Sequence, residues 1–377
     1  KDGRIVYVGD EAGVAAFAGP KTSVVDLEGR LATPGFVDAH SHPMSGGLRL
    51  IRCRLGAFST PVEIYAAVRE CSQNHRDETW LIGAGVDFAA FPDEGPARGA
   101  LDLLVPDRPA FLTNDYGNIA WVNTQALRRA GVDRATPDPP NGKIRRDRIS
   151  GDPTGVLEND AALMVRRILP ARDQSLYLRG LAAASAMASE YGLTAVIDAS
   201  VDETMLKTYQ AADDSGALKF RVTAAQRVDP SAGAAQVRSM ARLARKARTP
   251  RLRADAAKFF LDGEFIFRTA ALLNPYEDMP ETSGALSLDG ERFAELVRDL
   301  DRRDIQVMTH AMGDGAVRSA LDAFASAARE NGTGDRRHQV THAGLVDAAD
   351  IRRFSELSVV ANLQPLFRQT DAEERDE

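Results

Sequence analysis

Long helical segments alternate with short apolar strands from about residue 170 onward, and this alternation constrains the fold more than any other feature of the sequence. Successive strand–helix units of this kind build a parallel sheet that is covered by helices. The pattern predicts six strands, at residues 194–199, 220–225, 256–261, 305–309, 339–342 and 359–363. We therefore expect an α/β fold with a parallel sheet.

A seventh strand is predicted near the N-terminus, at residues 36–40. A closed (β/α)8 barrel of the TIM type needs eight such strands. We therefore predict a TIM-type barrel over residues 33–377 whose eighth strand is missing from this chain. The chain is expected to be shorter than the protein from which it comes.

Two regions do not follow the barrel pattern. Residues 1–32 carry short alternating strands, at residues 5–8 and 23–27, that are separated by turn glycines; this predicts part of a small β-sheet module that is too short to fold alone. Residues from about 76 to 160 are less regular and rich in proline and glycine, so we interpret them as an insertion after the first barrel strand.

Composition excludes several classes of protein. The chain has 377 residues, of which 44% are hydrophobic, and its net charge of -7 gives no reason to expect nucleic acid as a partner. No run is apolar for long enough to span a membrane. The two cysteines, Cys53 and Cys71, lack zinc-type spacing and predict neither a disulfide framework nor a thiolate metal site. We expect a cytoplasmic protein, although an upstream targeting peptide would not be visible here.

Two histidines one residue apart end the first predicted strand, and a proline follows them. Successive side chains of a strand point to opposite faces, so His40 and His42 point the same way, about 6.6 Å apart along the chain. Neutral imidazole is a common metal ligand. The pair predicts a metal site at the strand end, whereas the alternative is two surface histidines in a turn.

Two further histidines stand at the ends of later strands. His310 follows the strand at 305–309 and His342 ends the strand at 339–342, and a glycine-bearing turn comes after each. Active sites of such barrels gather at the carboxyl ends of the strands. We therefore predict that both are metal ligands, the alternative being histidines held by ordinary hydrogen bonds. His338 and His75 do not fit this pattern and are interpreted as structural.

Lys258 lies in the middle of the apolar strand at 256–261. Burial of a charged lysine is costly and lowers its pKa. A neutral amine can react with carbon dioxide to give a carbamate, which acts as a carboxylate and can bridge two metal ions. The alternative is an ion pair with Asp262 or Glu264 at the barrel mouth.

Together these residues resemble the amidohydrolase superfamily, in which a His-x-His pair on the first strand precedes a lysine on the fourth strand and histidines on the fifth and sixth. Further segments are similar in sequence to the YtcJ-type branch, namely residues 33–42, 151–157, 258–263, 268–273, 310–314 and 359–365. The similarity runs over nearly the whole chain.

The resemblance implies one or two divalent metal ions, usually zinc, at the family's ligand positions: His40, His42, Lys258, His310 and His342. It assigns His310 and His342 to catalysis as well. It also implies a small β-sandwich built from both chain ends, and hydrolysis of a carbon–nitrogen bond in a small amide-like substrate. The family's general-base aspartate follows the eighth strand, which is absent here. We leave a homodimer open.

Three departures from the family pattern stand out. Relatives usually carry a histidine where this chain has Asn118, and a glutamate where it has Thr341. Residues 264–267 are also bulkier than expected. The first and third departures leave the substrate class open, whereas the Thr341 side chain is expected to face away from the metal.

The chemistry that follows is hydrolysis by metal-activated water. Two alternatives remain. The same scaffold could hydrolyse an ester, lactone or phosphoester, or it could be a non-catalytic barrel that has lost its metal site.

Overall fold

The computed structural model describes residues 4–56, 58, 60–91 and 95–365. The chain divides into two compact units, Lys1–Gly35 and Phe36–Glu377. In the first unit the described residues form one short helix, α1 (Glu11–Val14), whose first turn is capped by the Asp10 carboxylate.

The strands predicted at residues 5–8 and 23–27 are not observed within residues 4–35. A strand needs a neighbour for its N–H and C=O groups, and no two described segments of this unit pair. Ile5, Val8 and Val24 are accordingly more than 80% exposed. The β-sandwich expected for this region stays a prediction.

The described part of the second unit contains thirteen strands and eleven helices, numbered along the chain. The strands are β1 (Phe36–Ser41), β2 (Cys53–Arg54), β3 (Leu81–Ala84), β4 (Ala110–Thr113), β5 (Ile119–Val122), β6 (Gly142–Arg146), β7 (Pro153–Asn159), β8 (Leu193–Val201), β9 (Arg221–Arg227), β10 (Leu252–Phe260), β11 (Gln306–Ala311), β12 (Gln339–His342) and β13 (Val360–Asn362). The helices are α2 (Pro43–Ile51), α3 (Pro61–Asn74), α4 (Arg98–Leu104), α5 (Thr124–Ala130), α6 (Asp160–Arg166), α7 (Gln174–Glu190), α8 (Glu203–Asp214), α9 (Ala235–Lys246), α10 (Gly290–Asp301), α11 (Asp314–Asn331) and α12 (Ile351–Glu356).

Seven strands form the parallel sheet that the sequence predicted, in the order β1-β8-β9-β10-β11-β12-β13. The Asn362 side chain in β13 donates a 2.8 Å hydrogen bond to the Ala39 carbonyl in β1. The two edge strands therefore meet at their carboxyl ends, and the sheet is a nearly closed barrel. The predicted α/β fold of the TIM type is confirmed, with seven barrel strands in the described residues.

Strand β10 shows how the barrel sorts its side chains. Ala257, Phe259 and Leu261 pack outward into the core formed with α10 and α11. Ala256 belongs to a small cluster inside the barrel, and Lys258 lies on the same face because side chains of a strand alternate. The lysine is thereby held in the barrel interior.

Helices α2 and α7 cross at very close range. A Cβ added to Gly47 in α2 would lie 1.9 Å from the Gly180 carbonyl oxygen of α7. Only glycine fits this contact. It fixes α2, which begins directly after His42.

A second sheet occupies residues 53–159, with strand order β2-β3-β4-β5-β7-β6. Its first pairs are parallel and the later ones antiparallel. The sheet begins at Cys53, earlier than the start near residue 76 that was predicted for the insertion. Its core contains Ile64 and Val68 of α3, together with Leu112 and Trp121 of the sheet.

A disulfide joins Cys53 of β2 to Cys71 of α3, with their Cα atoms 5.5 Å apart. The prediction that the two cysteines indicate no disulfide framework was wrong. They lie 18 residues apart, and only the return of α3 across the end of β2 brings them together.

Among the described helices, none is both long enough and apolar enough to cross a lipid bilayer.

Candidate metal centre

Four histidines from three strands meet at the carboxyl ends of the barrel strands. The ring centroids of His40 and His42 are 5.6 Å apart, those of His40 and His342 are 4.8 Å apart, and those of His342 and His310 are 4.7 Å apart. The structure thus brings together the four histidines that the sequence singled out. That they bind a metal stays a prediction.

Burial controls the charge of these rings. It lowers the pKa of His40 to about 3, with smaller contributions from the charges of Lys258 and His42. Burial likewise lowers the pKa of His310 to about 4 and that of His342 to about 2. These imidazoles are therefore neutral at physiological pH, which is the form that binds metal ions.

The side chains are of the types that bind a divalent ion, but they are not arranged as a coordination sphere. The buried Nδ1 of His40 has no hydrogen-bond partner among the residues described, and an unpaired buried nitrogen is rare unless it serves a ligand or ion. The rings contact one another edge to face, and His310 Nε2 lies 3.2 Å from the Gly263 carbonyl. Accordingly, no group of three His, Cys, Asp or Glu side chains in the described ranges is arranged to hold a metal ion.

Lys258 lies inside the barrel with 1% of its surface exposed. Its Nζ donates a 3.0 Å hydrogen bond to Thr341 Oγ1 and lies 5.1 Å from the centre of the Phe260 ring. The expected alternative, an ion pair with Asp262 or Glu264, is not observed. Burial lowers the pKa of Lys258 to about 7, so a large fraction of the amine is neutral at neutral pH.

Thr341 was predicted to face away from the site, and this was wrong. Its hydroxyl accepts the bond from Lys258 and donates to the Thr309 carbonyl at 3.0 Å. The strand loses its alternation here because His342 and Ala343 have positive φ angles of 74° and 45°. Position 341, for which the family resemblance implied a glutamate, therefore contacts the lysine directly.

Asp198 is a site residue that the sequence analysis missed. Its carboxylate is fully buried within β8, with Oδ1 3.6 Å from His42 Nδ1. The Tyr209 hydroxyl donates to Oδ2 at 2.7 Å, and burial raises the pKa of Tyr209 well above its ordinary value. A carboxylate behind a ligand histidine fixes the orientation and tautomer of the ring. The sequence feature that could have identified Asp198 is an acidic residue inside an apolar strand.

Asp262 joins the loops that follow β10 and β11. Its carboxylate accepts hydrogen bonds from the backbone N–H groups of Ala271, Met312 and Gly313 at 2.8–3.0 Å. Oδ1 also lies 3.5 Å from His310 Nε2. Asp262 therefore fixes the loop that directly follows His310 and β11.

The two remaining histidines have structural contacts, as the sequence indicated. His338 Nδ1 accepts from the Val307 N–H at 3.0 Å and its Nε2 lies 3.2 Å from Asp301. His75 ends α3 and lies 3.4 Å from Glu78.

Comparisons with known proteins agree with this architecture. The amidohydrolase family model matches residues 23–376. The chain is 30% identical to the putative amidohydrolase YtcJ of Bacillus subtilis, over 94% of this chain and 66% of that protein. It is 27% identical to an N-substituted formamide deformylase of Arthrobacter pascens, over 96% of this chain and 68% of that protein. The chain thus spans about two thirds of the length of these curated relatives.

A solved structure shows the same fold. The crystal structure of an uncharacterized metal-dependent hydrolase from Pyrococcus furiosus superposes with a TM-score of 0.76 at 26% identity. The match covers 97% of this chain and 72% of that one.

Proposed function

This chain belongs to the amidohydrolase family, and from that premise we propose that it is a metal-dependent hydrolase that cleaves a carbon–nitrogen bond of a small amide. The observation that carries the proposal is the meeting of four imidazoles at the carboxyl ends of the barrel strands, three of which burial keeps neutral: His40, His310 and His342. The relative from Arthrobacter pascens is named for deformylation of an N-substituted formamide, which supports an amide as the substrate class.

The proposed metal ligands are His40, His42, His310 and His342, with Lys258 as a fifth ligand once its neutral amine has taken up carbon dioxide. Imidazole nitrogens and a carboxylate-like oxygen favour zinc among the common divalent ions. A bound divalent ion supplies Lewis acidity, which polarises a carbonyl and makes water a stronger nucleophile.

The chain's own residues prepare the reaction in three ways. Asp198 faces the His42 ring at 3.6 Å, and Asp262 holds the loop that directly follows His310 and β11. Thr341 positions the Lys258 amine in the barrel interior. We propose His310 and His342 as catalytic residues through the divalent ion that their neutral imidazoles would hold, since that ion would supply the Lewis acidity.

The experiment combines metal analysis with turnover. We expect the purified protein to retain one or two zinc ions per chain and to hydrolyse N-substituted formamides. The variants His310→Asn and His342→Asn should lose roughly 100-fold or more in kcat/KM. His75→Asn changes a histidine outside the barrel and should keep full activity.

Two outcomes would contradict the proposal. A protein that binds no zinc or manganese and turns over no amide after metal addition would be a non-catalytic barrel. A protein that hydrolyses matched esters or lactones but not amides would be a hydrolase of a different bond class.

A further inference from the structure

A cavity of about 920 Å³ extends along α2 between the barrel and the second sheet, and His42 lies at its border. This volume is in the range of small-molecule sites. Five arginines line the cavity: Arg49, Arg52, Arg54, Arg166 and Arg172.

The lining of this cavity carries more positive than negative charges. Its lining includes two carboxylates, Asp38 and Asp115. Asp115 lies 3.2 Å from Arg49, which is thereby neutralised. Within the described residues, no carboxylate lies within ion-pair distance of the other four guanidinium groups.

One of these five arginines, Arg52, has an unsatisfied hydrogen-bond donor. Its Nε atom is buried and lacks a hydrogen-bond partner in the described parts of the chain. Burial lowers the pKa of Arg52 and the nearby charge of Arg172 lowers it further, while the charge of Glu78 offsets part of this shift. The pKa of Arg166 is lowered by burial and by the charge of Arg172. A buried donor without a partner and like charges that are only partly compensated both cost free energy, and a bound anion would reduce both costs.

The length of α2 gives the distance between the arginines and the proposed metal centre. This helix begins directly after His42 and ends at Ile51, and Arg52 is its C-cap. Nine helical residues at about 1.5 Å each span roughly 14 Å. A molecule with its reactive bond near His42 could therefore place its other end among the arginines if it is about 10–15 Å long.

We propose that this cavity binds the acidic end, a carboxylate or a phosphate, of the substrate whose amide bond lies at the metal centre. Planar guanidinium groups bind both kinds of anion through paired hydrogen bonds. That the bound anion is part of the substrate rests on the proposed function. That the cavity binds an anion does not.

The first experiment measures binding without turnover. The metal-free protein is titrated by calorimetry with glutarate and with inorganic phosphate, so that no metal chelates the probe. Glutaramide, which has the same length and no charge, is the matched neutral probe. We expect saturable binding of an anion and none of glutaramide, and the tighter anion identifies the preferred acidic group.

Charge-matched variants locate the site. Arg52→Gln/Arg172→Gln should weaken anion binding at least tenfold. Arg238→Gln/Arg245→Gln removes two exposed charges from α9 and should bind the anion like the wild type. If the first double variant does not fold, the exposed Arg172→Gln alone should still weaken binding severalfold.

The second experiment measures turnover of the metal-loaded protein on formamides with an acidic or a neutral tail of equal length. We expect at least a tenfold preference for the acidic tail in kcat/KM, and loss of that preference in the Arg52/Arg172 variant.

Three results would overturn the inference: equal binding of glutarate and glutaramide, equal loss of binding in both double variants, or anion binding without any preference for acidic substrates. If no formamide is hydrolysed, the proposed function fails while the titrations still decide whether the cavity binds an anion.

Discussion

Replacing Lys258 with methionine should make the metal-free protein more stable at neutral pH. Methionine has a similar shape and no charge, so it can fill the barrel interior without the cost of burying an ammonium group. In the folded protein burial lowers the pKa of this lysine from 10.5 to about 7. Between these pH values the unfolded chain binds a proton that the folded chain does not, so wild-type stability rises with pH over this window.

The magnitude follows from the two pKa values. At about 1.4 kcal/mol per pH unit, the lysine destabilises the folded wild type by about 4 kcal/mol at pH 7. At pH 9.5 the same calculation leaves about 1.4 kcal/mol. The advantage of Lys258→Met should therefore shrink about threefold between these pH values and vanish above the unfolded pKa.

The assay is urea unfolding of both proteins at pH 7 and pH 9.5, in metal-free buffers purged of carbon dioxide, with the free energy of unfolding taken by linear extrapolation. Lys207→Met is the control, because Lys207 is 64% exposed on α8 and loses the same charge. The reasoning is refuted if Lys258→Met is less stable than the wild type at pH 7, or if its advantage is the same at both pH values. Zinc with bicarbonate should stabilise the wild type and Lys207→Met more than Lys258→Met, which lacks the proposed fifth ligand.

Three further predictions concern other parts of the molecule. Asp198→Asn removes the carboxylate behind the first-strand histidine and should lower zinc affinity about 10–100-fold, measured by competition with a chelator. Reduction of the Cys53–Cys71 bond, which closes a loop of 18 residues, should lower the free energy of unfolding by about 3 kcal/mol in urea titrations with and without dithiothreitol; the double serine variant should not respond to the reductant. Gly47→Ala should destabilise by about 1–3 kcal/mol because its Cβ meets the facing helix backbone, whereas Gly46→Ala, with open space around its Cβ, should be neutral or slightly stabilising, as thermal unfolding would report.

The barrel could be predicted because each of its strands is an apolar run that ends at a turn or a helix start. Strand β12 was placed at its observed bounds, and the others differ by a few residues. The site histidines could be found for the same reason, since a barrel brings strand ends together whatever lies between them.

The second sheet was harder to predict because its strands are two to seven residues long and pair both parallel and antiparallel. Such pairing depends on contacts between distant segments rather than on a local period. The Cys53–Cys71 bond belongs to the same category. Neither cysteine carries a local sign of its partner.

Two errors at the site have a local physical cause. Alternation along the strand predicts that Thr341 and His342 point in opposite directions. His342 takes a positive φ, so the alternation fails here, and the sequence does not signal a positive φ at a histidine. Asp198 was not predicted because only histidines and a lysine in the strands were treated as candidate site residues. A buried carboxylate in an apolar strand is as costly as a buried lysine and should be tested in the same way.

The hydrogen bond between Asn362 and Ala39 has a consequence for the order of assembly, since it joins residues 323 positions apart. At about 5–20 residues per second, a ribosome needs roughly 16–65 s to make the intervening chain. The strand that carries His40 emerges long before the one that holds its carboxyl end in place. Loop closure over this length adds little to the free energy of the finished fold, but it makes the metal centre a late product of folding. A chain arrested just before residue 362 would carry all four of these histidines without the hydrogen bond that closes the barrel mouth.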